Sequence, residues 1–192
     1  MYARFLKAKL NLGAENVFSH ELSLAVGISP EQVRQDLMVL NIHGTPQRGY
    51  PIKPFIADLN IFLRMGNSVK AVLAGADVLG EAILAHFSSY LPNLNVAAAF
   101  DADLSKTGKK ISGCPVYHLS KMPEIIKQET PLVGIIAVPP DGSQQLADDM
   151  AALGIKGILN FSPTVIKPPN GVFIEQIDIV MALEKTVFFA GN

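Results

Sequence analysis

Along the first 66 residues apolar side chains recur at helical spacing; from Asn67 onward they gather into near-continuous runs separated by further helical stretches. Residues 19–27, SHELSLAVG, have Ser19 as a predicted N-cap, turn Leu22, Leu24, Ala25 and Val26 toward one side and stop at Gly27. A second helix starts at once. Ser29 as N-cap, Pro30 at the first helical position and Glu31 and Gln32 in the first turn open it, and Val33, Leu37 and Leu40 follow at helical spacing. Two short helices around a Gly-containing turn make a helix-turn-helix, whose second helix presents Gln32, Arg34, Gln35 and Asn41 outward. In the following IHGTPQRGYPI, Gly44, Pro46 and Gly49 demand turns, and Tyr50 and Ile52 alternate like the returning strand of a small hairpin. A helix-turn-helix followed by a β-hairpin is a winged helix.

The runs VKAVLAG (69–75), NVAAAFD (95–101), LVGIIAV (132–138), GIKGILNF (154–161) and VFIEQID (172–178) predict five strands. Helices are predicted in LGEAILAHFSSYL, LSKMPEIIKQE and GSQQLADDMAAL. Strands that are apolar almost throughout, alternating with helices, form a parallel sheet covered on both faces, as in a Rossmann-like α/β domain. The last segment, IVMALEKTVFFAG, predicts an apolar helix with no further strand to cover, suited to packing on another subunit. The predicted organisation is therefore a winged-helix domain at 1–66, a parallel-sheet domain at 67–175 and a C-terminal dimerisation helix at 176–192.

Composition agrees with a folded, core-rich chain. Of 192 residues, 49% are hydrophobic and only 17% charged, which excludes a disordered polymer. One cysteine, Cys114, cannot form an internal disulfide, and no apolar run approaches the ~18–20 residues that span a bilayer, so a cytoplasmic protein without membrane contact is expected. The net charge of −1 hides an asymmetry. Residues 1–66 carry seven Lys/Arg against five Asp/Glu, and the remainder nine against twelve, giving +2 and −3. That sign suits an N-terminal nucleic-acid module, and the small excess implies that DNA affinity is modest or depends on dimerisation.

Chemistry concentrates in one loop. Gly75-Ala76-Asp77-Val78-Leu79-Gly80, at a strand-to-helix junction, has the spacing of the dinucleotide fingerprint G-x-G-x-x-G with Asp77 in place of the middle glycine. Gly75 permits the tight turn, and Gly80 lets the helix pack close to the strand. Asp77 brings a negative charge toward the place where two phosphates would use the helix N-terminus. Alternatively it is a helix N-cap that fills the anion position from within, and the two readings are compatible. Asp101 closes the second strand 21 residues beyond Gly80, where an acid accepts hydrogen bonds from the adenosine ribose and favours NAD over NADP, or else caps the loop DADLSK. Lys106 follows on that loop, placed over the adenine or ribose edge or simply solvated. His20, His43, His86 and His118 are scattered without ligand spacing, Cys114 has no partner, and no nucleophile elbow is present, so neither a metal site nor catalysis is expected. Cys114 and His118 read as packing or surface residues.

Over almost its full length the sequence resembles the Rex redox-sensing transcriptional repressors. The resemblance is carried by SPEQVRQDL (29–37), RGYPI (48–52), GADVLG (75–80), FDADLSKTGKKISGCPVY (100–117), AVPPDGSQQLAD (137–148), GIKGILNFSP (154–163) and QIDIVMALE (176–184). It implies a homodimer with an exchanged C-terminal helix, in which NADH pulls the recognition helices off operator DNA and NAD permits binding. It further implies a DNA-facing set of Ser29, Gln32, Arg34 and Gln35 with Arg48 and Tyr50 on the wing. An NAD(H) site is implied at residues 75–80, Asp101 and Lys106, with Val138-Pro139 and Asn160-Phe161 near the nicotinamide. Departures fall at both ends of the molecule's work: Gln35 replaces the second of two arginines, Thr45, Pro46 and Gln47 replace basic and glycine residues of the wing, and Asp77 replaces the fingerprint glycine. The other readings are a divergent paralogue that keeps the dimer but binds another ligand or none, and a small NAD-dependent oxidoreductase, for which no proton donor stands in the strand-end loops.

Overall fold

The computed structural model describes residues 2–62, 68–91 and 93–191. The chain divides into two compact units, Met1–Asn67 and Ser68–Asn192.

The N-terminal unit holds α1 (Tyr2–Asn11), β1 (Asn16–Val17), α2 (Ser19–Val26), α3 (Pro30–Val39), β2 (Tyr50–Pro51) and α4 (Ile52–Phe62). Leu6, Leu22, Val33, Leu37, Ile52 and Phe55 are buried together at its centre. Helix α2 ends at Gly27, in the left-handed conformation, and α3 starts as its sequence requires, with the Ser29 side chain accepting from the Gln32 amide at 3.1 Å. Two expectations change. Ser19 is the first residue of α2 rather than its cap: Glu21 in the first turn accepts from the Phe18 amide at 2.8 Å, so a capping side chain on Ser19 is not needed. Tyr50 also does not return a hairpin strand through Ile52. Tyr50–Pro51 pairs antiparallel with Asn16–Val17, and Ile52 opens α4 because Ile52, Phe55 and Leu59 share one buried helical face. The wing is thereby reduced to a tight turn, closed by the bridge between Thr45 and Gly49.

The C-terminal unit is built on a seven-stranded sheet: β3 (Val69–Ala74), β4 (Leu94–Asp101), β5 (Lys110–Ile111), β6 (Cys114–His118), β7 (Val133–Ile136), β8 (Gly157–Asn160) and β9 (Phe173–Gln176). The spatial order is β5-β6-β4-β3-β7-β8-β9; all neighbours are parallel except β5 with β6. Helices α5 (Val78–Tyr90), α6 (Met122–Glu129) and α7 (Ser143–Ala152) connect the strands. The five apolar runs are all strands, and β5 and β6 were not anticipated. Their residues, KKISGCPVYH, carry a glycine and a proline that mask the period-two pattern. Alternate residues of β3 enter different cores: Val72 and Ala74 join Phe100, Met122 and Ile126, whereas Ala71 and Leu73 join Ile83, Leu84 and Cys114. Both faces of the sheet are thus buried, which accounts for its unbroken apolar strands. Cys114 is a core residue, its thiol pushed up to about 11 by burial, and His118 caps the following turn by accepting from the Ser120 amide. Helix α8 (Ile179–Ala190) ends the chain, started by Asp178, whose side chain accepts from the Met181 amide.

A candidate dinucleotide cleft and nucleic-acid face

Strand order reverses at β3: from β3 the chain adds β4 and β6 on one side and then β7, β8 and β9 on the other, with β3 parallel to both neighbours. Such a switch point leaves a crevice at the carboxyl ends of the central strands. A cleft of about 550 Å³ lies there, lined by Gly75 and Asp77 after β3, Phe100 and Asp101 at the end of β4, Lys106 and Leu119 beyond it, and Val138 and Pro139 after β7. Ala102 and Asp103 after β4, Asp141 and Gly142 just before α7, and Gln145, Leu146 and Asp149 on α7 complete it.

The turn after β3 is shaped by two missing side chains. A Cβ on Gly75 would stand 2.3 Å from the Ala137 carbonyl oxygen, and one on Gly80 would stand 2.0 Å from that of Gly75. Only glycines let β7 and α5 approach the turn this closely. Gly75 also has a φ of +94°, and its amide donates to the Phe100 carbonyl at 2.8 Å.

Asp101 organises the opposite wall. It is 8% exposed; its Oδ2 accepts from the Ala76 amide at 2.9 Å and from Lys106 Nζ at 3.1 Å, while Oδ1 accepts from the Asp103 amide at 2.8 Å. Burial by itself would raise this carboxyl, but the two amides and the ammonium outweigh it and hold the group below the ordinary aspartate value. Capping its own loop and fastening the glycine turn are therefore combined in one side chain.

Asp77 occupies the N-cap position of α5 with extended backbone, but its side chain makes no capping hydrogen bond. The expected self-cap is corrected: the carboxylate pairs instead with Lys106. Lys106 is only 24% exposed and spans Asp77 and Asp101, so it is not a freely solvated loop lysine. Its bond to Asp77 first, and the contribution of Asp101, raise the ammonium above its ordinary value against the opposing effect of burial.

Of the other fingerprint residues, Ala76 is buried, Val78 is 85% exposed and Leu79 is partly exposed. Asn160 and Phe161 do not line the cleft. Asn160 is fully buried and turned into its own loop, donating to Gln176 Oε1 at 2.7 Å and the Thr164 carbonyl at 2.9 Å and accepting from the Ser162 amide at 3.0 Å. The α7 wall was missed by sequence reasoning; the signal lay in PPDGS, where Gly142 at φ +90° lines the cleft and starts α7. Among the described residues no group of His, Cys, Asp and Glu could hold a metal ion, and no helix is long and apolar enough to cross a membrane.

In the N-terminal unit, Ser29, Gln32, Arg34, Gln35 and Arg48 are all exposed. Arg34 pairs with Glu31 at 2.7 Å, and Gln32 donates to Asp36 at 2.9 Å. Tyr50 is half-buried with its ring 6.2 Å from that of Phe55, a packing role.

Comparison with known proteins sets this geometry in a family. Residues 67–164 match the family model of the CoA binding domain, and residues 1–37 that of a DNA-binding protein N-terminus. The redox-sensing transcriptional repressor Rex of Pelotomaculum thermopropionicum is 36% identical over 98% of this chain and 88% of its own length. The chain belongs to the Rex family. Rex of Geobacillus kaustophilus is 34% identical over all of this chain and 90% of its own length. Among solved structures, the Rex-family repressor RSP in complex with β-NAD+ and operator DNA superposes with a TM-score of 0.88 at 28% identity, covering 98% of this chain and 87% of that one. RSP in complex with β-NADH gives 0.84 at the same identity. The Rex relatives are transcriptional repressors.

Proposed function

We propose that this protein is a homodimeric Rex-type repressor that holds operator DNA in the oxidised state and releases it when NADH binds. The supporting observation is the cleft at the β3/β7 switch point: the glycine turn, the Asp101 carboxylate and the α5 N-terminus converge there as dinucleotide recognition requires, in a chain that aligns with NAD+ and NADH complexes of a Rex repressor. Pyrophosphate lies over the first turn of α5, where backbone N–H groups and the helix dipole favour anions. Asp101 faces the adenosine ribose, Lys106 lies beside it, and Val138 and Pro139 face the nicotinamide side. Asn160 supports that end through the loop it ties together, not by contact. A conformational difference between the oxidised and reduced complexes must come from contacts that differ between the two ligands.

The recognition surface is α3, with Arg34 and Gln35 toward base edges, Ser29 and Gln32 at the helix start and Arg48 on the short wing. The units are Met1–Asn67 for DNA and Ser68–Asn192 for the ligand, the second ending in α8 as a dimerisation helix. Along α8, Leu183, Val187, Phe188 and Phe189 are 64–72% exposed, an apolar surface that a second subunit would cover. Cytoplasmic residence follows from this role.

Direct titration of the purified protein with NADH, followed by nicotinamide fluorescence, tests the ligand assignment. Saturable binding, competed by NAD+ at higher concentration, is expected; a flat titration up to millimolar NADH would remove the sensor function and favour a paralogue without a dinucleotide.

A further inference from the structure

Among the described residues that line the cleft, Lys106 is the one cationic side chain, and it is already engaged by two carboxylates. Its two partners differ. Asp101 is buried and fixed by the amides of Ala76 and Asp103, whereas Asp77 is 67% exposed, sits at the mouth of the glycine turn and contributes no capping bond to α5. The N-terminus of α5 is thus left uncapped by the side chain best placed to cap it, and an anion-seeking lysine is held beside it.

We infer that Asp77 is a tethered competitor of the ligand's pyrophosphate: Lys106 exchanges Asp77 for phosphate when the dinucleotide binds. This deepens the dinucleotide function proposed above and rests on it. Unliganded, the cluster of Lys106, Asp77 and Asp101 carries a charge of −1, and Asp103, Asp141 and Asp149 line the same cleft. Pyrophosphate adds about two further negative charges, which the α5 dipole alone does not offset. Transfer of Lys106 to the phosphates provides the missing cation, while Asp77, exposed and unbonded to the helix, turns into solvent. Asp101 keeps the lysine within reach throughout. The internal anion therefore lowers affinity for the phosphate-bearing ligand and raises the NADH concentration at which the repressor responds.

Calorimetric titration of the full-length protein with NADH, ADP-ribose and adenosine, for the parent, Asp77→Asn and Lys106→Met, tests this exchange. Asparagine matches aspartate in size and is well tolerated at an N-cap position, and matching thermal midpoints establish that the fold is intact. Asp77→Asn is expected to bind NADH and ADP-ribose about tenfold more tightly, with adenosine unchanged because it has no phosphate, and Lys106→Met about tenfold more weakly. Equal or weaker NADH binding by Asp77→Asn, or an equal gain for adenosine, overturns the exchange. If neither the parent nor Asp77→Asn binds NADH, the dinucleotide function itself falls, and the exchange with it.

Discussion

Gly80 is where a single absent Cβ decides whether the cleft forms. With only 2.0 Å available to the Gly75 carbonyl oxygen, Gly80→Ala must push the first turn of α5 away from β3, a backbone clash that no rotamer change relieves. The expected loss is about 3 kcal/mol or more, together with NADH binding, read by chemical denaturation and titration. Gly157→Ala is the control: its nearest neighbour is the Val133 side chain at 3.9 Å, so stability should change little. The role of Gly80 was legible in the sequence because spacing fixes it. That of Asn160 was not: a strand-end asparagine gives no sign of whether it faces a ligand or, as here, binds its own loop. Asp77 was legible as an acid in a glycine's place and as a helix N-cap, but its pairing with Lys106, 29 residues away, was not.

Elements with long, unbroken apolar runs were readable, and short ones were not. β3, β4, β7 and β8 are buried on both faces, and composition alone marks such strands. The two-residue strands β1 and β2 owe their existence to partners distant in sequence, Asn16–Val17 capturing Tyr50–Pro51 and so shortening the wing, whereas β5 is a two-residue arm of a tight hairpin with β6. Asp101 joins several elements at once: from the end of β4 it holds the turn before α5 and the loop carrying Lys106. Its pH dependence follows. The folded carboxyl lies below its unfolded value, so its contribution to stability is fully present above the ordinary aspartate value of about 4 and is lost as pH falls through the lower folded value. The thermal midpoint should therefore decline below about pH 4, and Asp101→Asn should lower the midpoint at neutral pH while flattening that decline.

For the whole molecule, the charge arithmetic and the last helix point the same way. A net +2 on the N-terminal 66 residues is thin for a DNA-binding face, and Arg34, one of its cations, is paired with Glu31, which favours the proposed arrangement of two copies on one duplex. In the proposed dimer the apolar surface of α8 supplies the means. If so, the parent protein is a dimer in light scattering, and Val187→Asp combined with Phe188→Asp should make it a monomer and weaken operator affinity at least tenfold, leaving each unit folded by circular dichroism. The most direct test of the central claim uses a duplex selected from a random-sequence pool with the NAD+-loaded protein, labelled and followed by fluorescence anisotropy. Addition of NADH should release the duplex at concentrations where equal NAD+ does not; a complex that persists unchanged in saturating NADH would contradict the account.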